Sequence, residues 1–580
     1  MNLTTMPPIF QFVNRALLAL LLCLLPVWSM GQSFTLEQYG GRANDSTHDN
    51  GPALVKMLDA LKRANQSGQA VKVNLGSGDY HIWDTHLPTH EIFISNHDHV
   101  DQRAVAFWLD GLKGVTIQGV NTKLLFHGRL IPFVLSNCED VTVCGVSVDY
   151  LRPALTQITI KEVSDDVVRA EVLEESKWRV DKDRFVLECE GFDVVPNSCM
   201  PFSADGHMKW NRADISFKPS KVARADDGSI LLYGWSEREH LKPQDVYVLR
   251  TYARPTPGVV ISDSRRVTLR DVAIHYAEGM GCLAQNSDDL TLDHFSVKLP
   301  DGSPRHFTTQ ADATHFSGCR GYIRSTDGIY ENMADDAINV HGTYLRVDSI
   351  LDARHLRVTF AHGQTFGIGW YRENDEVALI DRHTLKPLFT SKVADYREVS
   401  KKESIVVLER PLPENIIADL VPLAIENLSA YPTVDFGYNV VRNNRARGSL
   451  FSTRQKVLCH HNLFDHTHGS AILLCGDANG WYESGPCEHI VISDNHFVNA
   501  LTAMYQFTHA VISIDPEIRQ KENGFSYHKR IVIKDNTFTT FPSPLYYAES
   551  VEELIIKNNR VIPTNDYLPI FENTDSRIIH

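Results

Sequence analysis

Cysteine, basic runs and long apolar stretches are what this 580-residue chain has least of. Its ten cysteines are scattered and none forms a CxxC pair, which removes the ribbon and finger types of zinc site. Apart from Cys23 there are nine, an odd number: Cys138, Cys144, Cys189, Cys199, Cys282, Cys319, Cys459, Cys475 and Cys487. Most are read as buried apolar side chains. Lys and Arg total 57 against 72 Asp and Glu, a formal charge of −15, and no basic run interrupts that balance. A nucleic-acid partner needs a basic footprint and is excluded. An acidic polymer is repelled at long range, so a neutral ligand fits more easily. The apolar run Ala16–Trp28 falls short of the roughly 20 residues a membrane span needs. With Arg15 before it and Ser29-Met30-Gly31 after it, residues 1–31 read as a secretory signal peptide. Lipid attachment at Cys23 is disfavoured, because Leu22 stands where such signals carry a small residue. The expectation is an exported protein, periplasmic or extracellular, with no stable membrane insertion after cleavage and with disulfides chemically allowed.

Helical periodicity is also scarce. One amphipathic stretch follows the turn at Asp49-Asn50-Gly51-Pro52 and runs to Leu61. Such a helix can cap the open end of a β-solenoid, whose first edge would otherwise be unpaired. Beyond it, short β-branched runs recur with Asn, Asp and Gly between them. Val267–Ile274 resembles Leu290–Val297, 23 residues on, and Val115–Val120 resembles Val141–Val146, 26 on. Asn495, Asn536 and Asn559 repeat one position; the last step is 23 and the 41-residue step before it requires an inserted loop. Coils of about 22 to 25 residues, stacked at ~4.8 Å, account for this pattern. Asn recurring at one corner predicts a ladder of side-chain amides. A β-sandwich is the competing architecture, but sandwiches rarely keep Asn in register. The expected fold is therefore all-β, a right-handed parallel β-helix of the pectin-lyase-like type with inserted antiparallel β-barrel-like domains.

Two stretches lack the Asn rhythm yet keep alternating strands, as in His355–Phe360 and Ser404–Leu408. They divide the chain into helix coils over 32–151, an insertion over 152–250, coils over 251–342, an insertion over 343–425, and coils over 426–580. Insertions growing from a rigid scaffold are where specificity is usually built.

The segment richest in chemistry holds Asp312, Asp335 and Asp336. Asp312 precedes the other two by 23 and 24 residues, one coil, so the three acids should share a circumferential position roughly 5 to 9 Å from one another. Two carboxylates ~5 Å apart repel by about 3 kcal/mol at an effective dielectric of ~20, enough to raise one pKa by about two. A protonated acid beside ionised neighbours is what glycoside hydrolysis requires. An Asp-Asp pair alone is most often a solvated surface feature, and calcium would also be held by such acids. Here the pair sits among Met333, Ala337, Ile338 and Val340. Two further segments carry sugar-binding chemistry: Ser95-Asn96-His97-Asp98-His99, and Trp481-Tyr482-Glu483-Ser484-Gly485, which sets an aromatic face beside a carboxylate. The first is equally readable as a polar loop, the second as a packed aromatic. Cys459-His460-His461 with His466 and His468 is a poor zinc site, since neighbours on a strand face opposite ways.

At these motifs the chain resembles glycoside hydrolase family 110, the α-1,3-galactosidases. The resemblance rests on Ile94–Asp98, Asp312-Ala313-Thr314-His315-Phe316, Asp335–Gly342 and Trp481–Gly485, and spans most of the mature chain. It implies a parallel β-helix with barrel insertions and exo-acting, inverting hydrolysis with no metal or cofactor. It also implies a galactose-terminated oligosaccharide or glycoconjugate as partner. Asp335 would be the general acid, and Asp312 and Asp336 would hold the attacking water. Asn96, His97, Asp98, His315, Asn339, His341, Trp481 and Glu483 would bind substrate. Family substrates are branched blood group B structures, linear Galα1-3Gal or algal galactans. A polysaccharide lyase and a non-catalytic glycan-binding solenoid are the alternatives.

Overall fold

A computed structural model describes residues 32–213, 215–418, 421–503, 508–570 and 578–579. The signal peptide expected over 1–31 lies outside these residues. Each coil contributes strands to two long sheets, of 20 and 13 strands. Nearly all pairings within them join a strand to its counterpart one coil later, in parallel. The sheet that carries the site runs Val259–Ser262, Cys282–Gln285, Thr314–Ser317, Ile338–Thr343, Ser449–Ser452 and Ile472–Leu474. This is a parallel β-helix. The repeats seen in sequence are register partners: Val267 lies opposite Leu290, and Val115 opposite Val141.

The amide ladder exists and is longer than the repeats suggested. The Asn439 N–H donates to Asn462 Oδ1, Asn462 N–H to Asn495, Asn495 N–H to Asn536, and Asn536 N–H to Asn559, at 2.9–3.0 Å. From Asn462 onward each side-chain amide also donates to the next Oδ1 at 3.0–3.1 Å. Inside the corner, Phe464, Phe497 and Phe538 stack at 5.2 and 4.7 Å between centroids. Buried amides must be paired somewhere, and a coil-to-coil ladder pairs them with their own copies. The helix Gly51–Gln66 starts with proline in its first turn, buries Leu54, Met57, Leu58 and Leu61, and packs onto the first coil. It outlasts the expected end at Leu61 by five residues. All nine described cysteines are free, and seven are buried.

The two insertions differ. The first holds a seven-stranded antiparallel sheet between Thr156 and Arg250, with a three-stranded sheet beside it. The second closes into a six-stranded barrel, from Leu345–Ile350 to Leu423–Asn427, around its own core of Leu356, Val358, Leu379, Val406 and Ile425. Among the described residues, only the second insertion closes. The helix resumes behind it in register, Ile338 opposite Ser449, as though the barrel were absent. Glu426, fully buried at the barrel exit, takes two 2.8 Å hydrogen bonds from the Arg454 guanidinium and one of 2.6 Å from the Tyr431 hydroxyl.

Candidate active site

The three aspartates converge where the coils were expected to bring them. Asp312 and Asp336 each stand two residues ahead of paired strands, Thr314 opposite Ile338, and the Ala313 N–H donates to the Asp336 carbonyl at 2.8 Å. They are successive rungs of one stack, with Arg447 the next rung. Asp335, one residue earlier, enters from the adjoining turn. One oxygen of each carboxylate lies within 4.8 Å of the others, closer than the 5 to 9 Å expected. Asp312 and Asp336 are 4% and 1% exposed, and Asp335 is 17% exposed.

Arginines surround this cluster, and sequence reading missed all of them. Arg447 donates to Asp336 twice, from its backbone N–H to Oδ1 and from Nη2 to Oδ2, each at 2.9 Å. Arg254 Nη2 lies 3.7 Å from Asp335 Oδ2. Arg445 donates to the Ala334 carbonyl at 3.2 Å, and the buried Arg250 stands close enough to act on Asp335. Burial, then the charge of Asp335, pushes the Asp312 carboxyl well above its usual range. Burial also raises Asp336 against the pull of Arg447. Burial would raise Asp335 too, but Arg447, Arg254, Arg445 and Arg250 together hold it below its usual range. The division of charge is thus set by burial and arginines as well as by mutual repulsion. Asp335, the acid in the family resemblance, is the member the arginines keep ionised.

The other expected residues separate into those at the pocket and those behind it. Asn96, His315, Asn339, Trp481 and Glu483 line it with the aspartates, around a space of about 570 Å³ that includes its mouth. Asn96 and Asn339 donate from their amides to the two oxygens of Glu483, at 3.0 and 3.3 Å. Burial works against the Glu483 charge, but His341, His315 and Asn339 hold its carboxyl below the usual range. The Trp481 ring packs on His362 of the barrel at 4.4 Å, with the Arg254 guanidinium 5.7 Å from its centroid. Asp477 aims that loop by accepting the N–H groups of Asn479, Gly480 and Trp481 at 2.5–2.8 Å.

His97, Asp98 and His341 lie behind the wall. His97 Nδ1 pairs with the Ser95 carbonyl at 3.0 Å, and its Nε2 accepts the Met280 N–H at 3.2 Å. No ring nitrogen remains for a sugar, and burial drops its pKa to about 3. Asp98 brackets two segments, accepting the Arg254 N–H and the Gln364 amide, both at 2.7 Å. His341 is buried beneath His315.

As a cation site the aspartate triad fits poorly. Its oxygens are close enough, but Arg447, Arg254, Arg445 and Arg250 already supply the positive charge that a calcium ion would bring. Of the histidines near Cys459, His460 and His461 meet at 3.0 Å, but not at the thiol. Cys459 is buried beside Asn462, while His460 pairs outward with Asp435 at 2.9 Å.

A parallel β-helix that gathers carboxylates from adjacent coils into an aromatic-edged pocket is built as glycoside hydrolysis requires. The family description GLAA-B beta-barrel domain II matches residues 355–420, within the barrel insertion. Alpha-1,3-galactosidase B of Phocaeicola vulgatus is 39% identical over 558 residues, 93% of each chain. The protein of that name from Bacteroides fragilis is 38% identical over 96% of each chain. That of Bacteroides thetaiotaomicron is 30% identical over 95% of this chain and 89% of its own. The chain belongs to the alpha-1,3-galactosidase B family, glycoside hydrolase family 110.

Proposed function

We propose that this protein is an exo-acting α-1,3-galactosidase. It would release terminal α-1,3-linked galactose from branched blood group B-type glycans, linear Galα1-3Gal, or both, by metal-independent inversion. The observation that carries the reading is the aspartate cluster, one oxygen of each within 4.8 Å of the others, in a pocket it shares with Asn96, Asn339, Trp481 and Glu483. Relatives named alpha-1,3-galactosidase B over nearly their whole length support the substrate class. In this scheme Trp481 stacks on the apolar face of galactose, and Asn96, Asn339 and Glu483 meet its hydroxyls. Asp335, the most exposed of the three acids, gives a proton to the glycosidic oxygen as the bond to C1 breaks. Asp312 and Asp336 hold a water on the opposite face and take its proton as its oxygen attacks C1. The product is β-galactose. The apolar run Ala16–Trp28 behind Arg15 supports export, to the periplasm or beyond.

A second reading is favoured by the arginines. If Asp335 stays ionised while Asp312 carries the proton, Asp335 is the nucleophile and the mechanism retains configuration. The test is incubation with Galα1-3Gal, with and without fucose on the acceptor, followed by chromatography and proton NMR. β-Galactose appearing first supports inversion, and α-galactose first selects the second reading. No galactose from either substrate rejects the activity.

A further inference from the structure

Asp312 is not an isolated acid. Its Oδ2 lies 2.7 Å from His315 Nδ1, and His315 Nε2 lies 2.8 Å from His341 Nε2. His341 Nδ1 is 2.6 Å from the Gly342 carbonyl, and its Nε2 is 3.4 Å from Glu483 Oε1. Both rings are 1% exposed. The Gly342 carbonyl can only accept, so His341 Nδ1 carries a hydrogen. Between the two facing Nε2 atoms a single hydrogen must lie, because two would collide and none would oppose two lone pairs.

Two arrangements satisfy these constraints with His315 neutral. In the first, the shared hydrogen belongs to His315. Burial, then His341, lowers the His315 pKa to about 3, so this ring is neutral. Its Nδ1 is then a bare acceptor and Asp312 must be the donor, a protonated acid. In the second, the shared hydrogen belongs to His341, now an imidazolium facing the Glu483 carboxylate. His315 Nδ1–H then donates to an ionised Asp312. The two forms interconvert by two hydrogen shifts, Asp312 O–H to His315 Nδ1 and His315 Nε2–H to His341 Nε2. No heavy atom moves.

We propose that His315 and His341 form a proton relay that carries the Asp312 proton out of the sugar pocket to His341, beside Glu483, and back. The inference rests on the water-activating role given above to Asp312. A carboxyl in this position resists ionisation, and the relay supplies the ionised form with its proton parked one ring away from the pocket. When water attacks, Asp312 takes the proton the water loses while His341 keeps the parked one, and Asp312 then passes that proton to Asp335, which has given its own to the leaving oxygen. The charges facing the relay shape the exchange. Asp335, Arg254, Arg447 and Glu483 act on Asp312; His341, Glu483, Arg254 and Asp335 act on His315, with His97 close by. The arginines favour ionised Asp312, Asp335 opposes it, and Glu483 favours the imidazolium. His341 is a positioning residue, since it acts through His315.

Two measurements test this. Selective ¹⁵N-histidine NMR on the full chain reports the fraction of His341 carrying both ring hydrogens at fixed pH. Asp312→Asn cannot supply the proton, so that fraction should fall at least ~5-fold. An unchanged fraction overturns the relay whether or not galactose is released, which keeps its failure distinct from failure of the proposed activity. In folded His341→Gln, kcat on an unactivated disaccharide should fall roughly 100-fold with KM changed less than ~3-fold, and the pH limb of kcat should move. Loss that is equal at every pH, with the profile unmoved, marks a structural residue and overturns the proposal. If His341→Gln does not fold, the NMR comparison decides.

Discussion

Arg447 is the residue that lets three carboxylates share one pocket. Carboxylates whose nearest oxygens lie within 4.8 Å of one another repel by a few kcal/mol at an effective dielectric of ~20, roughly 3 at ~5 Å, and burial adds to that cost. A guanidinium one rung beyond Asp336, donating to it twice, offsets both. Removing one partner of a buried ion pair strands the other, typically at ~3–5 kcal/mol. Arg447→Met should therefore lose stability of that order in urea unfolding and lower galactose release at least ~100-fold. A variant that keeps both stability and turnover would leave Asp336 needing no cation. Arg447 was invisible in the sequence because 111 residues separate it from Asp336. Its signal appears only after the barrel is excised, when Arg447-Gly448 precedes a strand as Asp336-Ala337 does. His97 and Asp98 show the converse. Their polarity was legible, but whether a polar side chain faces a sugar or a backbone carbonyl depends on neighbours far away in the chain.

Among the elements, the Asn corner carries the most local information. Asn495 accepts the Asn462 N–H and side-chain amide, and donates to Asn536 Oδ1 and the Cys459 carbonyl. Each buried group left unpaired costs about 1–3 kcal/mol. Asn495→Ala should lower unfolding free energy by at least that, and Asn559→Ala, at the less buried end of the ladder, by clearly less. Equal losses at the two positions would show that the ladder does not act through burial. Asn495, Asn536 and Asn559 were readable from their shared motif. Asn439 and Asn462 stand 23 apart, one coil, but lack the Asp or Asn that precedes each of the other three and so escape the shared motif. The insertions were recognised by loss of rhythm, but closure depends on whether the last strand meets the first, as Leu345–Ile350 meets Leu423–Asn427. Local strand patterning does not carry that information.

For the molecule as a whole, buried histidines weaken the fold in acid. Burial lowers His97, His315 and His528 each to about 3, whereas the unfolded chain binds those protons near pH 6.5. Between the two values the unfolded state holds more protons, so stability is full above pH 6.5 and falls as pH drops. The slope is roughly 1.4 kcal/mol per pH unit for each group. Net charge works the other way, since acidification relieves the excess of 15 negative charges. Urea unfolding midpoints should therefore fall from pH 6.5 to 4, and His528→Gln should flatten the fall. A midpoint that holds or rises over that range would mean these rings are not carried neutral in the fold.

The amino-acid sequence alone determined the winding of this protein and the meeting of its three acids. Both follow from a repeat of coil length, and a repeat is a local property that any stretch of chain displays. Tertiary structure alone decided which aspartate keeps its charge, which histidines face one another, and which polar groups reach the pocket. Those outcomes depend on burial and on arginines returning from beyond two inserted domains, and neither is encoded within any one coil.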